Sequence, residues 1–333
     1  MPDTAMPISR RTLLVLLTTA TFAAIPAHAE KPLESIRIGY QKSSTLITII
    51  KAQGLLEKRL AQQGVKISWS EFSSGLPLLE ALNVGGIDVS ADVADTVPVF
   101  AQAAGAKLTY FAQEAPSPSA QAILVKANAP YQTVAELKGK KIAVTKAAGS
   151  HYLLIAALNK AGLSFKDIEP AYLTPADGRA AFERGSVDAW VTWDPFLAGA
   201  QRQAQVRVLA DGRNIADYQR YYLASSSFAE AHPDILNLIF EELRKTGRWV
   251  KQSPKEAAAF LAPLWGLDSA TVEQANNRRS YEVRAVVTTA LAEQQRIADA
   301  FHAAGLLPQK INATAVPLWV PPQTSGISLL AKP

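Results

Sequence analysis

Ile36-Arg37-Ile38-Gly39-Tyr40-Gln41-Lys42-Ser43-Ser44, residues 36–44, decides the fold. Residues 36–40 predict a strand, Ser43-Ser44 an N-cap, and Leu46 to Leu60 an amphipathic helix ending at Gly64. The same alternation continues. Val65 to Phe72 predicts a strand, and Ser74-Gly75 with Pro77 opens a helix to about Val84. Ile87 to Ser90 predicts a third strand, Asp95-Thr96 with Pro98 a helix to about Ala104, and Leu108 to Gln113 a closing strand. Short strands alternating with helices imply an α/β fold with a mostly parallel sheet.

The polar, proline-bearing stretch Ala115-Pro116-Ser117-Pro118-Ser119 interrupts this pattern like a hinge. The pattern then restarts. Strands are predicted at Gln121–Lys126, Lys141–Thr145, Ile168–Leu173, Val187–Thr192 and Val206–Leu209. Helices are predicted from Thr133 to Lys138, Tyr152 to Lys160 (capped by Ser150) and Ala176 to Arg184. The chain returns through Tyr221-Tyr222-Leu223-Ala224. It ends in helices at about Pro233–Gln252, Pro254–Leu264, Ser269–Asn277 and Val283–Ala304. A first half, an inserted half and a return imply two lobes, residues 30–118 plus 219–333 and residues 119–218, with a cleft between them.

In open α/β sheets ligands bind beyond the carboxyl ends of strands, where helix N-termini present free amides. Five such termini are legible: Ser43-Ser44, Ser74-Gly75, Asp95-Thr96, Gly149-Ser150 and Ala176-Asp177. Small and hydroxyl residues let backbone N–H groups approach an anion, and each helix dipole adds about half a positive charge. Any one of these sites could be a simple helix cap; their number on one side of both halves is what points to an anion.

Ser9-Arg10-Arg11-Thr12-Leu13-Leu14, with an apolar run to Ile25, Pro26 and the small-x-small Ala27-His28-Ala29, reads as an export signal cleaved after Ala29. The arginine pair resembles a twin-arginine signal, and a Sec signal stays open. No later run reaches the roughly 18 apolar residues of a spanning helix. With no cysteine in 333 residues, a disulfide framework, a thiolate metal site and a lipidated N-terminal cysteine are all excluded.

The net charge of +5 and pI near 9.2 raise the question of nucleic acid. The basic residues are scattered among acidic ones, however, so no nucleic-acid partner is expected. Catalytic patterns are also missing. His151, His232 and His302 lie far apart, Gly139-Lys140-Lys141 lacks a P-loop's upstream glycine, and Gly149-Ser150-His151 is no nucleophile elbow. Neither an enzyme nor a cofactor or metal site is expected.

Ile38-Gly39-Tyr40-Gln41-Lys42, Leu79 to Gly85, Phe100 to Ala106, Tyr172 to Asp177, and Val187-Asp188-Ala189-Trp190 through Trp193-Asp194-Pro195 closely resemble the aliphatic-sulfonate-binding proteins of ABC importers. The likeness spans about Ile36 to Leu209 and weakens over the C-terminal helices. It implies a type II periplasmic binding protein, with two lobes of mixed sheet flanked by helices and two hinge crossings. It further implies a monomer in the periplasm that hands an organosulfonate anion to the permease and its ATPase. Taurine, nitrate or another small anion is the alternative ligand on the same scaffold. Two relatives by fold are less consistent with this chain. A thiamine-pyrimidine enzyme would bring a cysteine-rich iron motif, and a regulator's sensing domain a helix-turn-helix.

The resemblance places the cleft on Gln41, Ser43, Ser44 and Thr45; on Ser74 and Gly75; on Asp92, Asp95 and Thr96; on Lys146, Gly149, Ser150 and His151; and on Trp193 and Asp194. Gln41 would donate to sulfonate oxygens and Trp193 would cover an alkyl tail. Trp190, by strand alternation, should face the core. Ala91-Asp92-Val93-Ala94-Asp95 departs from the family's Thr-Gly-Asp turn by an extra carboxylate. Asp92 is expected to face solvent, pair with Lys146 or receive a ligand ammonium, in that order.

Overall fold

The structure, a computed structural model that describes residues 33–322 and Pro2, contains a six-stranded and a five-stranded mixed sheet. Apart from Pro2, the predicted export signal and its cleavage point lie outside the described residues.

The first half runs β1 (Ser35–Gln41), α1 (Thr45–Gln53), α2 (Leu55–Leu60), β2 (Lys66–Phe72), α3 (Gly75–Asn83), β3 (Val89–Ala94), α4 (Thr96–Ala103) and β4 (Leu108–Glu114). The second runs β5 (Gln121–Lys126), β6 (Lys141–Val144), α5 (Gly149–Lys160), β7 (Glu169–Tyr172), α6 (Pro175–Glu183), β8 (Ala189–Trp193), α7 (Phe196–Gln203) and β9 (Val206–Asp211). The return comprises β10 (Arg220–Ser225), α8 (Ser226–Ala231), α9 (Pro233–Gln252), α10 (Pro254–Trp265), α11 (Ser269–Arg278), β11 (Val283–Arg284) and α12 (Ala292–Ala303).

Strand order is β11-β4-β10-β3-β1-β2 in the first sheet and β7-β6-β8-β5-β9 in the second. β1 pairs in parallel with β2 and β3, and β10 inserts antiparallel between β3 and β4. The returning chain is therefore an interior strand of the sheet where the chain began. In the second sheet β6 is parallel to β7 and β8, and β5 is antiparallel to β8 and β9.

Burial explains the strand sequences. Every residue of β3 and β4 is buried, so both read as continuous runs, as strands covered on two faces do. In the second sheet Ile123, Val125 and Val191 pack under α5 and α12, against Leu154 and Phe301. On the opposite face Leu124 and Trp190 meet Phe182 of α6 and Leu197 of α7. Trp190 thus faces the core, as strand alternation predicts. A third cluster joins Leu78, Val93, Val97 and Tyr221 of the first sheet's side to Ala148 and Trp193 of the second. Apolar packing is therefore continuous across the gap between the sheets.

Four sequence expectations are corrected. The helix over Leu46–Leu60 is two helices, because Gly54 at φ 60° ends α1 with its N–H on the carbonyls of Ile50 and Lys51. β3 extends to Ala94, so Asp92 lies within a strand rather than in a cleft loop. α7, absent from the sequence reading, forms because the Asp194 carboxylate accepts the Ala198 N–H at 3.0 Å across its first turn. The helix over Val283–Ala304 begins only at Ala292. Before it, Val283 and Arg284 pair with Glu114 and Gln113 on the edge of β4, covering amides that a helix there would leave unpaired.

Candidate functional site

Between the two sheets lies a small cavity lined by Gln41, Gly75, Ala94 and Val97 from the first sheet's side and by Ala148, Gly149 and Trp193 from the second, with Tyr218 and Arg220 from the return segment. The space left for a water-sized sphere is ≈ 10 Å³, about one water molecule. Larger hollows, ≈ 450 and ≈ 380 Å³, lie elsewhere, but neither is bordered by both sheets.

The first residues of α3 and α5, Gly75 and Gly149, both line the cavity. Neither helix has a side-chain cap on its first turn, so the positive dipole ends face the space uncapped. Glycine is required by close approach. A Cβ on Gly75 would stand 2.7 Å from Val97 Cγ2, and one on Gly149 would stand 2.5 Å from the Tyr218 ring.

Behind the cavity is a buried charge cluster. Arg220 Nε donates to Asp92 Oδ2 at 2.5 Å, and its Nη1 donates to the Tyr218 hydroxyl at 2.9 Å. Arg279 Nη2 reaches the same Asp92 oxygen at 3.1 Å and Glu114 Oε2 at 2.6 Å; its Nη1 donates to the Ser43 carbonyl at 3.2 Å. All four side chains are at most 2% exposed. Burial alone would favour neutral guanidines, yet the carboxylates more than offset it and hold both arginines above the usual value. Two cations and two anions balance, so an arriving anion meets Arg220 in a site that carries no net negative charge.

The fates of the predicted residues differ. Gln41, Gly75, Gly149 and Trp193 line the cavity, and Gln41 Nε2 is tied to the Asp92 carbonyl at 2.9 Å. Ser74 precedes α3, buried and without a cap bond. Ser44 accepts the Gln41 N–H at 3.3 Å through its Oγ instead of capping α1. Thr45 Oγ1 pairs with the Tyr281 hydroxyl at 2.9 Å.

Asp92 neither faces solvent nor pairs with Lys146. It is fully buried between two arginines, while Lys146 is exposed. Asp95 occupies the Thr96 amide at its own helix start, at 3.0 Å, and also accepts from Gln219 N at 2.8 Å. Burial pushes its carboxyl up to about 7. Thr96 donates to the Ala147 carbonyl at 2.7 Å, a bond from α4 to the second sheet's side.

His151 turns away from the cleft to pack among Phe165, Tyr172 and Phe301. Burial holds it down to about 3, so it supplies no cation. Asp194 pairs with Arg278 Nη1 at 2.9 and 3.1 Å, with burial pushing its carboxyl up to about 7 against that pairing. It joins α7 to α11 instead of touching the cavity.

Sequence reasoning missed Arg220, Arg279, Glu114 and Tyr218. A signal existed for Arg220, a charged residue opening the otherwise apolar run Tyr221-Tyr222-Leu223-Ala224; buried charges are rare unless paired. Backbone strain marks the same place, since Ala147 and Tyr218 adopt φ 58° and 53°, a conformation that costs non-glycine residues energy.

Several buried polar atoms around the cavity lack partners: Ser43 Oγ, Asp92 Oδ1, Ser150 Oγ, Trp193 Nε1 and Arg279 Nε. Native interiors satisfy nearly all such groups. Donors outnumber acceptors here, which suits a small anion held between two sheets. A two-sheet α/β scaffold with such a cleft defines the class of periplasmic solute-binding folds.

A family model described as "NMT1/THI5 like" matches residues 60–257. The solved periplasmic aliphatic sulphonate binding protein SsuA from Escherichia coli is 41% identical, with a TM-score of 0.79 over 90% of this chain and 96% of that one. The alkanesulfonate-binding protein SsuA from Xanthomonas axonopodis pv. citri, solved with MOPS bound, is 39% identical, with a TM-score of 0.79 over 84% and 96%. The taurine-binding periplasmic protein of Escherichia coli (strain K12) is 25% identical over 79% of this chain and 81% of its own. The chain belongs to the NMT1/THI5-like family.

Proposed function

We propose that this protein is the periplasmic solute-binding component of an ABC importer and captures aliphatic sulfonates for delivery to the membrane permease. The observation that carries the reading is Arg220, a buried guanidinium on a cavity bordered by two uncapped helix N-termini. A sulfonate spreads one charge over three oxygens and can accept several hydrogen bonds at once. Arg220 would hold one oxygen, with the amides at Gly75 and Gly149 and the Gln41 carboxamide serving the others. Trp193 and Val97 would cover the alkyl chain.

The present cavity admits about one water, so ligand entry requires the sheets to part and then close again. Closure would be a population shift between two lobes, residues 30–118 plus 219–333 and residues 119–218, hinged at their two crossings. The permease would recognise the closed form. The protein acts as a monomer and carries out no chemistry on its ligand. Export of residues 30–333 after cleavage of a signal peptide accounts for the periplasmic site of action.

Titration calorimetry of the exported chain tests this reading. Ethanesulfonate should bind, and Arg220→Met should weaken it about a hundredfold, as expected for losing a buried charged hydrogen bond. Nitrate binding as tightly as ethanesulfonate, or Arg220→Met leaving affinity unchanged, would refute the assignment.

A further inference from the structure

Gln121 opens β5 directly opposite Trp193 in β8. Directly opposed residues of an antiparallel pair project from the same face about 5 Å apart. That face is the one where Ile123 and Val191, two residues further along each strand, pack under α5. Gln121 is therefore the side chain beside Trp193 at the cavity end of the second sheet, on the side from which α5 presents Gly149 and Ser150. It is 1% exposed, and both Nε2 and Oε1 lack a partner. Among the described residues no other buried carboxamide has both ends free.

We infer that Gln121 is a specificity-determining residue of the cleft, selecting sulfonates whose carbon chain carries a hydrogen-bond donor. This rests on the sulfonate reading above. A carboxamide is satisfied only when its NH₂ finds an acceptor and its oxygen finds a donor. A simple alkanesulfonate brings acceptors alone and leaves Oε1 bare. The neighbouring Trp193 indole N–H is a donor but makes no bond to it. A hydroxyl or ammonium two carbons from the sulfonate would serve Oε1 while a sulfonate oxygen takes the Nε2 hydrogens. Gln121 would then be the second sheet's counterpart of Gln41, the carboxamide that ends β1 in the first.

Calorimetry with ethanesulfonate and 2-hydroxyethanesulfonate on wild type and Gln121→Leu tests the inference. Wild type should prefer the hydroxylated ligand by about tenfold, the worth of one hydrogen bond. Gln121→Leu should bring the ratio near one, with both affinities lowered by the lost Nε2 bond to the sulfonate. Gln121→Ala, with its folding checked by circular dichroism, should give the same ratio. A preference that survives both substitutions, or wild-type affinities that are equal, overturns the role of Gln121 alone. Absence of heat from either ligand overturns the sulfonate reading and this inference with it.

Discussion

Asp92 Oδ2 stands 2.5 Å from Arg220 Nε, joining β3 to β10 inside the first sheet. The pair fixes the Arg220 guanidinium, which lines the cavity. Because Arg279 shares the same carboxylate oxygen, Asp92 organises two cations contributed by the returning chain.

Asp92→Asn keeps the shape of the side chain but leaves the cluster with a net positive charge in a buried place. Unfolding free energy should fall by about 3–5 kcal/mol, as when one partner of a buried ion pair is removed. Urea denaturation measures the loss, and a change below about 1 kcal/mol would contradict the network's role.

Gly149→Ala places a methyl group 2.5 Å from the Tyr218 ring. The same methyl group would stand 3.1 Å from Ala94 Cβ in β3, a contact across the cleft, so closure should suffer. Sulfonate affinity is expected to fall at least about tenfold, or about 1.4 kcal/mol. Gly199→Ala is the control, since the nearest atom to its added Cβ is Arg179 Nη1 at 3.8 Å.

Arg278 of α11 holds Asp194 and also donates to Gln201 of α7, while Gln274 reaches the same Gln201 at 2.9 Å. Arg278→Ala should release this latch and enlarge the unliganded protein in small-angle X-ray scattering. Ligand affinity should drop with it, because closing must then proceed without the ion pair. An unchanged radius of gyration would show that the latch does not hold the closed form.

Burial raises the folded Asp95 carboxyl from 3.8 to about 7. Between about pH 4 and 7 the folded chain keeps a proton that the unfolded chain has released, so stability declines as pH rises through that window and levels off above it. One such group contributes a slope of up to about 1.4 kcal/mol per pH unit. Asp194 acts in the same direction. Melting curves of wild type and Asp95→Asn from pH 4 to 8 should differ in slope, with the variant flatter. Parallel curves would mean that Asp95 stays ionised when folded.

Much of the scaffold was legible in the sequence because it is written in short-range terms. Gly-terminated helices, proline-opened helices and apolar strand runs located most elements, and α9 falls on the predicted Pro233–Gln252. The reading failed where a distant partner overrides local preference and where a single local residue, Gly54 or Asp194, resets the pattern. Val283 and Arg284 extend to cover the edge of β4, and Phe196–Gln203 forms a helix on a short, glycine-containing segment capped by Asp194.

The site divides in the same way. Gln41, Gly75, Gly149 and Trp193 could be found from sequence because each sits where a strand ends or a helix begins, and that position follows from the local pattern. Asp92, Arg220, Arg279 and Glu114 could not be grouped, since 128 residues separate Asp92 from Arg220 and 165 separate Glu114 from Arg279. The order of residues determined the two α/β halves and the helix ends that face each other. Only the folded chain decided which charges neutralise one another, because a buried ion takes whichever opposite charge the packing brings within about 3 Å, whatever their distance along the chain.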